Sequence, residues 1–191
     1  MVKAKRASTA MLSTIFTVPP VVPDVAFAVL RRDYAGHRND ARVYASNKLH
    51  PINRPLTLDD YRPEVRHEVL LPDDAEDRYA DPKLLFESVE AEQVPRTKDL
   101  LSHVKISSPV RRLHHLWEDG RQFAMQEFVR KESMAVLMIL HRPQLSPPHL
   151  HLLIPCRRFG PLGWGEFVQD LARDSGCLRV SRAWVAFRQT L

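Results

Sequence analysis

The stretch MAVLMILHRPQLSPPHLHLLIP, residues 134–155, decides the fold of this chain. It contains two apolar runs, 134–140 and 149–154, on either side of a loop with three prolines. Short continuous apolar runs are typical of strands buried in the middle of a sheet. Because the connecting loop is short, we predict that the two strands pair antiparallel at the centre of the molecule.

Histidines stand at the ends of these two predicted strands. His149 and His151 are two residues apart, so their side chains point to the same face of a strand. His141 ends the preceding run, and the short loop brings it close enough to complete a face of three imidazoles. Three neutral imidazoles with open positions suit Mn²⁺, Zn²⁺ or another divalent ion that also holds a phosphate oxygen. Spacing alone leaves open the alternative of a chance pair among nine histidines.

Working outward from this pair, the hydrophobic pattern predicts an α+β fold with a central, mainly antiparallel sheet flanked by helices. Asn39 or Asp40 is suited to cap one short helix, and Asp81 followed by Pro82 begins another. Further strands are predicted at 13–18, 66–71 and 100–107, and helices at 39–48, 81–94, 110–131, 165–175 and 178–189. We expect a basic, loose arm over 1–12 and one domain over 13–191.

Composition fits this single domain and narrows its function. The chain has 191 residues, a net charge of +5 and a pI of about 9.5, which suits a polyanionic partner without requiring one. Cys156 and Cys177 form no CxxC pair, which excludes a zinc ribbon, and we expect two buried, reduced thiols. No segment reaches the roughly 18 apolar residues of a membrane span, so a cytoplasmic protein without membrane contact is expected.

Beyond the histidines, an ordered series of segments resembles the MobA/MobL relaxases of mobilizable plasmids. In that family a histidine and a short loop precede a Pro-His-x-His strand and an arginine, which here are His141 and PPHLHLLIPCRR. Upstream, IFTVPPV, EVLLP and YADPKLLFESVEAEQ are similar to the family's opening strand, Leu-Pro strand end and helix. Downstream, FGPLGWGEF and SRAW are similar to its aromatic turn and last helix. The resemblance covers about residues 13–190 and depends on the order of the pieces.

The resemblance implies a relaxase fold, similar to the HUH endonucleases, and metal-dependent nicking of single-stranded DNA at a plasmid transfer origin by tyrosine transesterification. The family's nucleophile is a tyrosine in a helix after the first strand, and Tyr44 in DARVYASNKL is the best match, with Tyr34 as runner-up. The partners implied are origin DNA and accessory mobilization proteins. The metal is expected to be Mn²⁺ or Mg²⁺, with Zn²⁺ as an alternative, and its ligands to be His141, His149 and His151. The expected phosphate contacts are Arg31, Arg32, Arg157 and Arg158.

The chain also departs from the family pattern. His103 and Lys105 stand in the strand where the family commonly has acidic residues, which could orient a histidine or act as a base. Tyr44 lacks the usual Arg-Ala-Gly sequel. Three hypotheses therefore stay open: an active nickase, a catalytically degenerate DNA-binding module of the same fold, and an unrelated three-histidine metal hydrolase.

Overall fold

A computed structural model describes residues 16–51, 64–92, 98–107, 113–143 and 147–191. Within these ranges the strands are β1 (Phe16–Val22), β2 (Val25–Arg31), β3 (Asp33–Tyr34), β4 (His37–Arg38), β5 (Glu64–Leu70), β6 (Asp99–Ser107), β7 (Val136–Arg142), β8 (His149–Pro155), β9 (Arg157–Gly160) and β10 (Gly163–Phe167). The helices are α1 (Ala41–Leu49), α2 (Pro82–Ala91), α3 (Leu113–Ala124) and α4 (Asp174–Arg188). A π-helical turn, Met125–Arg130, continues α3.

The centre of the fold is a six-stranded sheet with the order β1-β2-β6-β8-β7-β5. Every neighbouring pair in it is antiparallel. The two apolar runs that open the sequence analysis form β7 and β8, which pair with His141 opposite His149. The prediction of an α+β fold with an antiparallel centre is therefore confirmed.

Helices cover both faces of this sheet, and alternation along the strands separates two cores. Val104 and Ile106 point to the face covered by α3 and α4, where they share one apolar cluster with Trp117 and Trp184. Leu101, on the opposite side of β6, belongs to a second cluster with side chains of α1 and α2. Since period-2 alternation fixes which residues reach each face, the register of β6 and β8 determines the contents of both cores.

Two helix starts follow the predicted capping chemistry. The Asp40 carboxylate accepts hydrogen bonds from the backbone N–H groups of Arg42 and Val43 and caps α1. The Asp81 carboxylate caps α2 in the same way, with Pro82 at the first helical position. Both predicted caps are confirmed, and they begin the two helices that lie over the same face of the sheet.

The predicted helix at 165–175 is wrong. FGPLGWGEF forms the β9–β10 hairpin, and a 3-10 turn at Gln169–Ala172 follows it. Gly163 turns the hairpin with a φ of +87°, a conformation that favours glycine, and the glycines on either side of Trp164 weaken a helix. The apolar sequence of β2, to which we assigned no element, forms the strand between β1 and β6.

Further expectations concern the two cysteines, membrane-spanning helices and the N-terminal arm. Cys156 and Cys177 are buried and form no disulfide, as expected, and burial raises the pKa of the Cys156 thiol to about 12. Within the described ranges, no helix has the length and apolar character needed to cross a membrane. The arm over 1–12 and the first residues of the predicted strand at 13–18 lie outside those ranges, so the proposed domain boundaries stay a prediction.

Candidate metal and nucleophile site

Three histidines form a compact cluster at one end of the central strands. His141 lies on β7, and His149 and His151 lie on β8. One ring nitrogen from each lies within 4.8 Å of those of the other two. The ring centroids of His141 and His151 are 4.6 Å apart, and those of His149 and His151 are 4.8 Å apart. The structure thus brings together the three predicted ligands.

Strand pairing adds two further side chains to the same face. Lys105 on β6 pairs directly with His151 on β8, and directly opposed residues of an antiparallel pair share a face. His103 lies two residues before Lys105 and shares its face, with its side chain buried. In the sequence, these two residues stand where the family commonly has acidic ones. The structure instead places a fourth histidine beside the cluster, and the signal that could have found it is the i, i+2 spacing along β6.

A continuous series of hydrogen bonds connects the predicted nucleophile to this cluster. Tyr44 Oη lies 2.6 Å from His103 Nδ1, and His103 Nε2 lies 2.7 Å from His151 Nδ1. His151 Nε2 lies 3.2 Å from His141 Nδ1. His141 Nε2 donates to the backbone carbonyl of Lys48 at 2.6 Å. Tyr44 and Lys48 both belong to α1, so the series starts and ends on one helix.

The donor set fits a divalent cation. His149 Nδ1 donates to the Pro147 carbonyl at 3.1 Å, which leaves Nε2 with the lone pair. Each of the three histidines therefore has one nitrogen engaged by a group outside the cluster, namely the Lys48 carbonyl, the Pro147 carbonyl or His103, and such contacts orient imidazole ligands in metal sites. At metal–nitrogen distances of about 2.0–2.1 Å, two ligands bound to one ion have nitrogens about 2.9–3.4 Å apart. The 3.2 Å between His151 Nε2 and His141 Nδ1 matches that separation.

Burial keeps these imidazoles neutral. It lowers the pKa of His103 to about 3 and that of His149 to about 4, with the charges of Lys48 and Lys105 acting in the same direction. Burial also lowers the pKa of His141 and, more strongly, that of His151. A metal ligand must offer a lone pair, so histidines held neutral are ready to bind without first losing a proton.

Tyr44 is buried between α1 and the sheet. Burial raises the pKa of its hydroxyl well above the usual value, so the proton stays on the isolated phenol at neutral pH. The Lys48 Nζ lies 5.4 Å from the centroid of the Tyr44 ring. Burial lowers the pKa of Lys48, and the charge of Lys105 lowers it further. Lys48 therefore lies near the phenol, and the charges of both Lys48 and Lys105 act on the histidines.

Contacts at the start of α1 fix the position of Tyr44. Glu90 on α2 accepts a hydrogen bond from the Ala41 backbone N–H at 2.6 Å and forms an ion pair with Arg32 at 2.7 Å. Arg32 Nη1 also donates to the Asn39 carbonyl. Both charged side chains of the ion pair are 12% exposed, so this contact anchors the helix that carries Tyr44.

The other arginines predicted to bind DNA are likewise engaged within the protein. Arg31 pairs with Asp99 at 3.2 Å, and Arg158 pairs with Glu132 at 2.9 Å. Arg157 donates to three backbone carbonyls, those of Glu92, Trp164 and Gly165. The structure thus gives all four arginines an intramolecular role, and their contact with DNA stays a prediction. Tyr34, the alternative nucleophile, is half-buried in the β3–β4 hairpin that precedes α1.

Comparisons with known proteins identify a family and a similar fold. The model of the MobA/MobL family matches residues 46–183. No curated protein matched the chain in the sequence comparison. A structure described as "Molecular Basis of Vancomycin Resistance Transfer in Staphylococcus aureus" is similar with a TM-score of 0.56 and 18% identity over 68% of this chain and 69% of that chain. The metal-bound structure of the conjugative relaxase TrwC in complex with oriT DNA is similar with a TM-score of 0.40 and 12% identity over 87% of this chain and 70% of that chain.

The matched residues include the histidine cluster and most of the central sheet. The first of these structures shares the fold of this chain, a central antiparallel sheet with helices on both faces. The chain belongs to the MobA/MobL family, since the family model covers more than half of its length. Nicking at a plasmid transfer origin is the function that this membership and fold support.

Proposed function

We propose that this domain nicks single-stranded DNA at a plasmid transfer origin, with Tyr44 as the nucleophile and His141, His149 and His151 as ligands of a divalent metal. The observation that carries the proposal is the connection of the Tyr44 hydroxyl to the histidine cluster through His103 alone. In a MobA/MobL chain this arrangement puts a nucleophile beside a metal-binding face, as transesterification requires.

The reaction exchanges one phosphodiester bond for another. The Tyr44 oxygen attacks the scissile phosphorus, and the bond between phosphorus and the 3′ oxygen breaks. The DNA 5′ end stays linked to Tyr44 as a phosphotyrosine, and the phenolic proton reaches the departing 3′ oxygen through solvent. A divalent ion bound by the three histidines would polarise the scissile phosphate.

Lys48 and Lys105 are the cations best placed to contact that phosphate. Lys105 lies beside His151 in the sheet, and the Lys48 Nζ lies near the Tyr44 ring. Burial lowers the pKa of Lys48 and the charge of Lys105 lowers it further, so a phosphate bound near both side chains would stabilise their charged forms. Tyr44 is only 5% exposed, whereas His149 and Lys105 are half-buried, so the proposal requires the DNA to approach from the side of these two residues.

The proposed partner is single-stranded origin DNA in the cytoplasm, and the proposed cofactor is Mn²⁺ or Mg²⁺, with Zn²⁺ as an alternative. The TrwC structure contains oriT DNA and a metal, which is the precedent for this pair of partners. Recruitment of accessory mobilization proteins is part of the proposal. A catalytically degenerate module of the same fold would bind the strand without cutting it, and the experiment below separates the two.

The test uses single-stranded oligonucleotides tiled across the DNA that flanks the gene, incubated with the full chain and Mn²⁺ or Mg²⁺. We expect a covalent protein–DNA adduct on denaturing gels that Tyr44→Phe abolishes, because the nucleophilic oxygen is removed. Tyr34→Phe is the matched control and should keep the adduct. Loss of the adduct in Tyr34→Phe alone would reassign the nucleophile, and binding without any adduct would support the degenerate module.

Metal content tests the ligands separately. His149→Ala should lower bound Mn²⁺ or Zn²⁺, because it removes one of three nitrogens, whereas His67→Ala on the neighbouring β5 should not. Equal metal content in the two variants would contradict the proposed metal site.

A further inference from the structure

His103 lies between the proposed nucleophile and the proposed metal ligands. Its Nδ1 is 2.6 Å from Tyr44 Oη, and its Nε2 is 2.7 Å from His151 Nδ1. We propose that His103 is a positioning residue. When a cation occupies the histidine cluster, the proton of the His103 ring moves from one ring nitrogen to the other, and this changes the hydrogen bond between His103 and the Tyr44 hydroxyl. The inference rests on the proposed metal binding and adds a role for a residue outside the ligand set.

The hydrogen bonds fix the tautomers when no cation is bound. The Lys48 carbonyl can only accept, so the proton of neutral His141 is on Nε2 and its Nδ1 is an acceptor. His151 must then donate from Nε2 to His141, which makes His151 Nδ1 an acceptor. By the same logic His103 donates from Nε2 and accepts at Nδ1, so the Tyr44 hydroxyl donates to His103.

These proton positions follow when the three rings are neutral. His103, His141 and His151 are all buried, which favours the neutral imidazole, and within the described ranges they hydrogen-bond to the Tyr44 hydroxyl, the Lys48 carbonyl and one another. Each neutral imidazole has one donor nitrogen and one acceptor nitrogen. A single carbonyl at one end of the series therefore sets the direction of every hydrogen bond up to the tyrosine.

A cation held by the cluster would need lone pairs on His151 Nε2 and His141 Nδ1, which share a hydrogen bond when no cation is bound. His141 Nδ1 already has one, but His151 Nε2 must give up its hydrogen, so the proton of neutral His151 moves to Nδ1. His151 Nδ1 then donates to His103 Nε2, and the proton of His103 moves to Nδ1. No net proton is gained or lost by either ring.

The exchange reverses the hydrogen bond at the nucleophile. With its proton on Nδ1, His103 donates to Tyr44 Oη instead of accepting from it. The phenolic hydrogen must leave this hydrogen bond and point to another acceptor, and a donor facing the oxygen stabilises negative charge on it. Occupancy of the metal cluster would thus prepare Tyr44 for attack through two imidazoles.

Nuclear magnetic resonance of the full chain labelled with ring-¹⁵N histidine tests this directly, because protonated and unprotonated ring nitrogens have well-separated shifts. Zn²⁺ serves as the probe since it is diamagnetic. We expect His103, assigned by the loss of its signals in His103→Gln, to carry its proton on Nε2 without metal and on Nδ1 with Zn²⁺. Tyr34→Phe should show the same exchange as the unmodified chain.

The same spectra separate failure of this inference from failure of the proposed function. If Zn²⁺ shifts the signals of His141, His149 and His151 while His103 keeps its proton on Nε2, the metal site stands and the coupling is wrong. If Zn²⁺ shifts none of them, both the metal site and the coupling are wrong.

Nicking at saturating metal gives a second readout. His103→Leu should retain Zn²⁺ binding and lower the nicking rate roughly 100-fold, because the group that donates to Tyr44 is lost. His103→Gln should recover part of the rate, since its amide can donate to the phenolic oxygen. A His103→Leu variant that binds Zn²⁺ and nicks as fast as the unmodified chain would overturn the coupling.

Discussion

The two faces of the central sheet are built from the same strands and have opposite chemistry. Along β8, Leu150, Leu152 and Ile154 enter the apolar cluster under α3 and α4. The alternate residues His149 and His151 point to the face covered by α1 and α2. Because the apolar face holds the fold together, the other face can bury three imidazoles next to one another with a fourth, that of His149, half-buried.

The two faces of the sheet are also stabilised in different ways. Buried neutral imidazoles need hydrogen-bond partners, and each of these histidines has at least one. Their series ends on the Lys48 carbonyl at the last turn of α1 rather than in the apolar core. The site consequently depends on how α1 is anchored, whereas the apolar face depends on packing.

The largest expected effect comes from opening a cavity on the apolar face. Phe123 is fully buried and contacts the rings of Phe128 and Trp184. Phe123→Ala should lower the free energy of unfolding by about 3–5 kcal/mol, measured by urea denaturation. Zn²⁺ affinity of the folded protein should not change, since the cluster lies on the other face.

Val185→Ala is the control for this variant, because Val185 is exposed on α4 and its loss should cost no more than about 0.5 kcal/mol. A parallel loss of Zn²⁺ affinity in Phe123→Ala would show that the two faces are not independent.

A smaller effect is expected where α3 crosses β8. A Cβ at Gly120 would overlap the Leu150 side chain, so Gly120→Ala should lower the free energy of unfolding by about 1–3 kcal/mol despite the better helix propensity of alanine. At Gly160 an added Cβ meets only ordinary contact, 3.8 Å from the Asp74 carboxylate, which makes Gly160→Ala the control. A stabilised Gly120→Ala would mean that Leu150 moves aside without cost.

The smallest effect, counted per pH unit, concerns the histidine face and pH. Burial lowers the pKa of His103 to about 3 in the folded state, below its unfolded value of about 6.5. Below pH 6.5 the unfolded chain therefore binds a proton that the folded chain does not, and stability falls as pH decreases toward 3. With EDTA present, the free energy of unfolding should decrease as the pH falls, with a slope that approaches roughly 1 kcal/mol per pH unit for this residue well below pH 6.5.

Urea denaturation at pH 7, 6 and 5 measures the slope, and His103→Gln should make it shallower because it removes that titration. His114→Gln, on an exposed position of α3, is the control and should keep the slope of the unmodified chain. An unchanged slope in His103→Gln would contradict the neutral, buried state of His103.

Local patterns account for much of what could be predicted. Apolar runs predicted β7 and β8 as a central pair, and capping residues predicted the starts of α1 and α2. Patterns failed at 165–175, predicted as a helix, where the structure has the end of β10 and a 3-10 turn. They also assigned no element to β2, whose apolar sequence is followed by charged residues. His141, His149 and His151 could be grouped because a hairpin joins them within eleven residues of sequence.

The sequence by itself determined the antiparallel centre, the three-histidine cluster and the resemblance to the MobA/MobL family, because each depends on short-range periodicity or on the order of segments. Only the tertiary structure decided what lies next to the cluster. His103 is 48 residues from His151 and 59 from Tyr44, and the pairing of β6 with β8 and the packing of α1 bring them together. The tertiary structure also decided that the four predicted arginines have partners within the protein. These partners are distant in the sequence, so the sequence around each arginine does not identify them.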